Sequence, residues 1–177
     1  WAKQNSGKAA YASFGTGTSS HIFGDMLANQ IGVDFVHVPY KGAGDAANDL
    51  FAGRVHLMFD SAASGMVNVR NGKLKLFGVV AEKRVALLPD APTMTELGLK
   101  DIDIIGWLAY FGPANMRPEV VSRLNAAIAR ALAHPEVKQG FAQGIYDATS
   151  SSPAELAAIV KDSYNRWGAL LRRAGIK

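Results

Sequence analysis

The densest chemistry in this chain lies between Tyr11 and His21, a run reading Tyr-Ala-Ser-Phe-Gly-Thr-Gly-Thr-Ser-Ser-His. Glycines allow backbone N–H groups to turn toward a common point, and a helix N-terminus adds partial positive charge, so together they suit an anion. Gly15 and Gly17 supply the backbone freedom, while Ser13, Thr16, Thr18 and Ser19 offer hydroxyls to a carboxylate or phosphate. The segment is not a P-loop, because the Gly-Lys-Ser/Thr ending is missing. The alternative is a glycine turn that only closes a strand–helix unit.

A second run, Val38 to Asp45, places Tyr40, Lys41, Gly42 and Gly44 between another strand and another helix. Two such turns in one parallel sheet open at the same carboxyl edge, where ligands of α/β sheets bind. Lys41 either pairs with an acid or is a solvated loop lysine, and Tyr40 either lines the site or packs as an edge aromatic. Asp60 closes a third strand, where its carboxylate can accept from a ligand or cap the next helix. His21 sits one turn into the first helix, where packing is expected. Ser13 or Ser19 can be drawn with His21 and Asp60 as a nucleophilic triad. The Gly-x-Ser-x-Gly elbow is absent, however, which argues against an enzyme. His37, His56 and His134 lack metal-ligand spacing, and no cofactor motif is present.

The elements that must position these residues follow from periodicity. Strands are expected at 9–13, 35–39, 55–59, 75–81 and 102–108. Helices are expected from Thr18 or Ser19 to Gly32, through Ala46–Phe51 to Gly53, over 65–71, and after the capping box Thr93-x-x-Glu96. This alternation predicts an α/β lobe with a parallel-rich sheet flanked by helices, spanning residues 9–108. From 109 to 177 the pattern turns helical: Pro118 opens one helix, Pro135 a second, and the box Ser152-Pro-Ala-Glu155 a third that Gly175 stops. Val121, Leu124, Ile128 and Leu132 form a stripe on the first, and Ile159, Tyr164, Trp167 and Leu171 on the last.

Composition sets the outer bounds. The 177 residues are 49% hydrophobic and contain no cysteine, which removes disulfides and thiolate chemistry. The first 105 residues are electrically balanced, and the net +4 falls entirely in the helical tail without a basic stripe, which argues against nucleic acid. No apolar run is long enough to span a bilayer. The N-terminus lacks a signal-peptide pattern and reads as a mature end or an internal cut.

Several blocks, in order, resemble the Bug family, the periplasmic solute receptors of tripartite tricarboxylate transporters. The run from Tyr11 to His21 is similar to that family's Ser-x-Gly-x-Gly-Thr/Ser-x-x-His signature. His37 to Gly42, Asp49 to Asp60, Arg84 with Leu88 to Glu96, and Gly106-Trp107 with Gly112-Pro113 resemble its later blocks. The resemblance implies a type II periplasmic-binding-protein-like fold of two α/β lobes and a cleft, and capture of a small carboxylate: a di- or tricarboxylate, an acidic amino acid or an aromatic acid. It implies that residues near Ser13 to Ser19 and Asp60 line one cleft wall, and that the membrane components of a transporter are the partners. The first lobe is expected to be largely missing, leaving the second lobe and a tail that would pack on the first. An isolated tail is then expected to cover itself by homodimerisation or tail exchange. The alternatives are a periplasmic sensor for a signalling partner, or a hydrolase.

Overall fold

The computed structural model describes residues 1–86, 88–102, 106–144 and 146–173. These form two compact units, residues 1–105 with 169–177, and residues 106–168. The first unit is built on a three-stranded, all-parallel sheet in the order β2-β1-β3, with β1 (Ala10–Ser13) central, β2 (Val36–Pro39) on one side and β3 (Leu57–Met58) on the other. Ala10 pairs with Val36 and Ser13 with Pro39, while Tyr11 pairs with Leu57.

β1 is buried at every residue, as a central parallel strand must be when helices cover both faces. The period-two alternation divides its side chains. Ala10 and Ala12 join Ala46 of α2 (Ala43–Phe51) and Val55 in an apolar cluster edged by Phe14, Val38, Tyr40, Leu50 and Met58. Tyr11 meets α1 (Ser19–Ile31): a Cβ at Gly24 would overlap the Tyr11 ring, so only glycine lets the helix lie this close to the strand. α1 ends at Gly32 in the left-handed conformation, with its N–H on Ala28 O.

α3 (Ala62–Arg70) follows, capped by Ser61, whose hydroxyl accepts from Ser64 N. The expected strand at 75–81 does not form as a strand. It makes a single parallel bridge, Val79 with Thr93, through Val79 N to Pro92 O and Met94 N to Val79 O. The box at Thr93 and Glu96 closes reciprocally, but it stabilises a hydrogen-bonded turn rather than a helix. β3 is shorter than the expected 55–59. Of the expected strand at 102–108, residues 103–105 lie outside the described residues, and 106–108 are not a strand.

The second unit contains α4 (Pro118–Ala133), α5 (Pro135–Gln143) and most of α6 (Pro153–Arg173). Each helix begins with proline, whose missing N–H is no loss in the first turn. The Ser152–Glu155 box forms: Ser152 N donates to the Glu155 carboxylate and Ser152 Oγ accepts from Glu155 N, and hydrogen bonding from Ser152, its backbone N–H foremost, holds the Glu155 carboxyl below the usual glutamate range. α4 and α5 bury no residue, and Leu124, Ile159 and Tyr164 of α4 and α6 are exposed. Trp107 donates from Nε1 to Ser163 Oγ at 2.8 Å, and its ring is tilted against Phe111. Among the described residues no helix is long and apolar enough to cross a membrane.

Candidate functional site

Three loops follow the three parallel strands and therefore open at one edge of the sheet: 14–18 after the central β1, 40–42 after β2, and 59–61 after β3. The first holds Gly15 at φ 121° and Gly17 at φ 81°, regions that side chains avoid. Thr16, Gly17 and Ser19 are exposed at its crest.

Some of the expected hydroxyl donors face inward instead. Ser13 is 1% exposed, and its Oγ accepts from Gly15 N at 3.2 Å while lying 2.6 Å from His37 Nε2. Thr18 is the N-cap residue in position, yet its hydroxyl does not cap the helix. It donates to Gly15 O at 2.6 Å and sits 3.0 Å from Ser20 Oγ. Ser20 Oγ accepts from Phe14 N. These hydroxyls therefore build the loop. No side chain caps α1, so the N–H groups of its first turn are left without a capping side chain at the helix start that follows β1.

His21 is also structural within the loop. Its Nδ1 accepts from Gly17 N at 3.0 Å, and its Nε2 lies 3.2 Å from Asp25 Oδ2, one turn further along α1. Tyr11 donates to the other Asp25 oxygen at 2.5 Å. The His37 ring stacks on His21 at 4.0 Å and on Tyr11 at 4.9 Å. Burial first, and the neighbouring His21 second, push His37 below the ordinary histidine range, while Asp25 draws it partly back. Burial and the bond to Asp25 raise the Tyr11 phenol well above its usual range. The triad drawn from the sequence is not assembled. Ser13 is buried against His37, His21 pairs with Asp25, and Asp60 accepts from Ser61 N and Ser64 Oγ.

In the second loop, Tyr40 donates to Asp49 Oδ2 at 2.6 Å, and Arg54 braces the same carboxylate. Desolvation and then that hydrogen bond push the Tyr40 phenol up to about 12, so it stays a neutral donor. The ring packs on the apolar cluster. Lys41 is exposed, with no hydrogen-bond or ion-pair partner among the described residues. Gly42 begins α2 in an extended conformation, again without a side-chain cap. Tyr11, Ser20, Asp25 and His37 were not picked out from the sequence. The i,i+4 spacing of His21 and Asp25 signals Asp25 alone among them.

A sequence model of the family described as "Tripartite tricarboxylate transporter family receptor" matches residues 1–176. This chain belongs to that family. A curated relative, the "UPF0065 protein in clcB-clcD intergenic region" of Pseudomonas knackmussii, is 34% identical over 158 residues, covering 89% of this chain and 94% of that protein. Another, from the tcbD-tcbE intergenic region of Pseudomonas sp. (strain P51), is 37% identical over 171 residues, covering 96% of this chain and 51% of that protein. Among solved structures, the periplasmic binding protein BugD is 33% identical with a TM-score of 0.87, covering 99% of this chain and 59% of that one. MatC from Rhodopseudomonas palustris with bound malate is 29% identical with a TM-score of 0.81, covering 92% of this chain and 56% of its own. Rpa4515 of R. palustris with adipate is 26% identical with a TM-score of 0.91, covering 99% and 58%. The chain thus spans roughly half to three fifths of most of these relatives. The family is one of receptors rather than enzymes, BugD is a periplasmic binding protein, and the periplasmic-binding fold read from the sequence is the fold observed.

Proposed function

We propose that this chain carries the carboxylate-binding loops of an extracytoplasmic solute receptor serving a tripartite tricarboxylate transporter in the periplasm. The observation that carries this reading is the loop from Phe14 to Thr18, with its two positive-φ glycines and the uncapped start of α1 behind it. Such a surface offers N–H donors and partial positive charge to an anion. Gly15, Thr16, Gly17 and Ser19 present the acid-binding crest, while Ser13 and Thr18 hold its shape. Gly42 and Lys41 add a second uncapped helix start and a cation. Asp60, fixed by Ser61 and Ser64, stands at the third loop to accept from a hydroxyl or amine of the ligand. MatC with malate and Rpa4515 with adipate favour a dicarboxylate. The apolar side chains left exposed by α4 and α6 support association through the tail, as a homodimer or by tail exchange.

A thermal-shift panel of mono-, di- and tricarboxylates tests this, with neutral sugars as controls. A ligand that binds only the native state at a hundred times its Kd adds about 2.7 kcal/mol of apparent stability. Malate or adipate is expected to raise Tm, and sugars are not. A response to sugars with none to any acid overturns the reading.

A further inference from the structure

The geometry points to His21 and His37 as a proton-sensitive latch that sets the shape of the loop between β1 and α1. Each histidine holds one glycine N–H of that loop. His21 Nδ1 accepts directly from Gly17 N, and His37 Nε2 fixes Ser13 Oγ, which accepts from Gly15 N. Gly15 and Gly17 are the two residues whose positive φ gives the loop its turn. The latch requires His21 to be neutral with its proton on Nε2, toward Asp25, because Nδ1 accepts only through a free lone pair. A proton arriving at Nδ1 sets two donors against each other and releases the Gly17 N–H. The rings lie 4.0 Å apart, so protonating both places two like charges in one pocket. Among the described residues, the other titratable groups facing the pair are Asp25, from α1, and Tyr11, from β1. One carboxylate balances one of the two positive charges. His21 is 8% exposed, so its ring is shielded from water, whereas Gly17 stands exposed at the crest and its released N–H turns to solvent.

His21 and His37 are therefore positioning residues: they touch the loop and leave the ligand to the exposed crest. That this loop receives a carboxylate rests on the receptor reading above, whereas the latch itself is a property of the free chain. The test is a titration of the ligand-free chain between about pH 8 and pH 5, following the Gly17 amide and the His21 ring by nuclear magnetic resonance. The Gly17 amide proton is expected to move upfield as pH falls, with the midpoint of the His21 ring. A Gly17 amide that does not titrate, or that follows a different midpoint, overturns the latch without any variant being made. His21→Asn keeps an acceptor one bond from Cγ, where Nδ1 stands, and cannot be protonated. In that variant the Gly17 amide is expected to stay fixed across the range, and continued titration there also overturns the proposal. Calorimetry with malate at about pH 8 and about pH 6 carries the consequence for binding. The wild-type chain is expected to lose affinity several-fold at the lower pH and His21→Asn to lose none, while equal loss in both overturns the link to binding. If malate and adipate bind at neither pH, the receptor reading fails, and the Gly17 titration alone still decides the latch.

Discussion

Replacing Tyr11 with Ala is expected to destabilise the first unit by about 3–5 kcal/mol, the range for emptying a buried aromatic site. Tyr11 is fully buried in the central strand. Its ring lies against Gly24, edge-on to Phe35 and stacked on His37, so three elements lose their common contact. Its hydroxyl also serves Asp25, whose carboxylate would lose a donor at a part-buried site. Set against a typical total of about 5–15 kcal/mol, that loss removes a large share of the native stability. Tyr11→Phe keeps the ring and forfeits the hydrogen bond, so it is expected to cost about 1–3 kcal/mol. Tyr164, 80% exposed on α6, provides the control, and its replacement by Ala is expected to fall within about 0.5 kcal/mol of wild type. Urea unfolding of the three variants measures the order. A Tyr11→Ala variant as stable as Tyr164→Ala would contradict the packing described.

Gly15→Val is expected to weaken malate or adipate binding at least tenfold while the sheet stays folded. At φ 121° a branched side chain is strained by about 1–3 kcal/mol even though the space is open: the nearest atom to an added Cβ, Thr18 Cγ2, is 3.8 Å away. The loop relieves that strain by turning its backbone, which re-aims the N–H groups around Gly15 and disrupts the Ser13 and Thr18 hydrogen bonds to it. Each lost bond to a charged ligand costs about 1.5–3 kcal/mol, and about 1.4 kcal/mol is already tenfold in Kd. Gly44 is the matched control. It lies inside α2 at an ordinary φ with nothing close by, so Gly44→Ala is expected to bind like wild type. Calorimetry returning an unchanged Kd for Gly15→Val would show that the loop does not receive the acid.

The segment from Ala9 to Gly53 is the part of the fold that sequence conveys best. Gly15, Gly17, Gly32 and Gly53 stand where the backbone turns, its strands are short apolar runs, and α1 and α2 each end near a glycine. The run from Lys75 to Ala81 misled for a physical reason. Apolar content reports burial, not pairing, and a lone bridge at Val79 needs no ladder. The Thr93–Glu96 box similarly reports a satisfied chain start, which a turn meets as well as a helix does. At the site, the loop glycines were legible, but the direction of each hydroxyl was not. Ser13 and Thr18 face inward because β1 sets Ser13 on the α1 side of the sheet, beside His37, and because Gly15 O lies within reach of Thr18. The contact of Tyr11 with Asp25 depends on which face of α1 meets the sheet, and residues 14 positions apart carry no local signal of it.

The most direct test of the carboxylate-site reading is a backbone amide titration of the chain with malate and with adipate. Saturable shifts are expected, concentrated at residues 14–20 and 41–43, with those of α4 and α5 unmoved. The absence of saturable shifts with either acid, or shifts confined to residues 106–168, would contradict it.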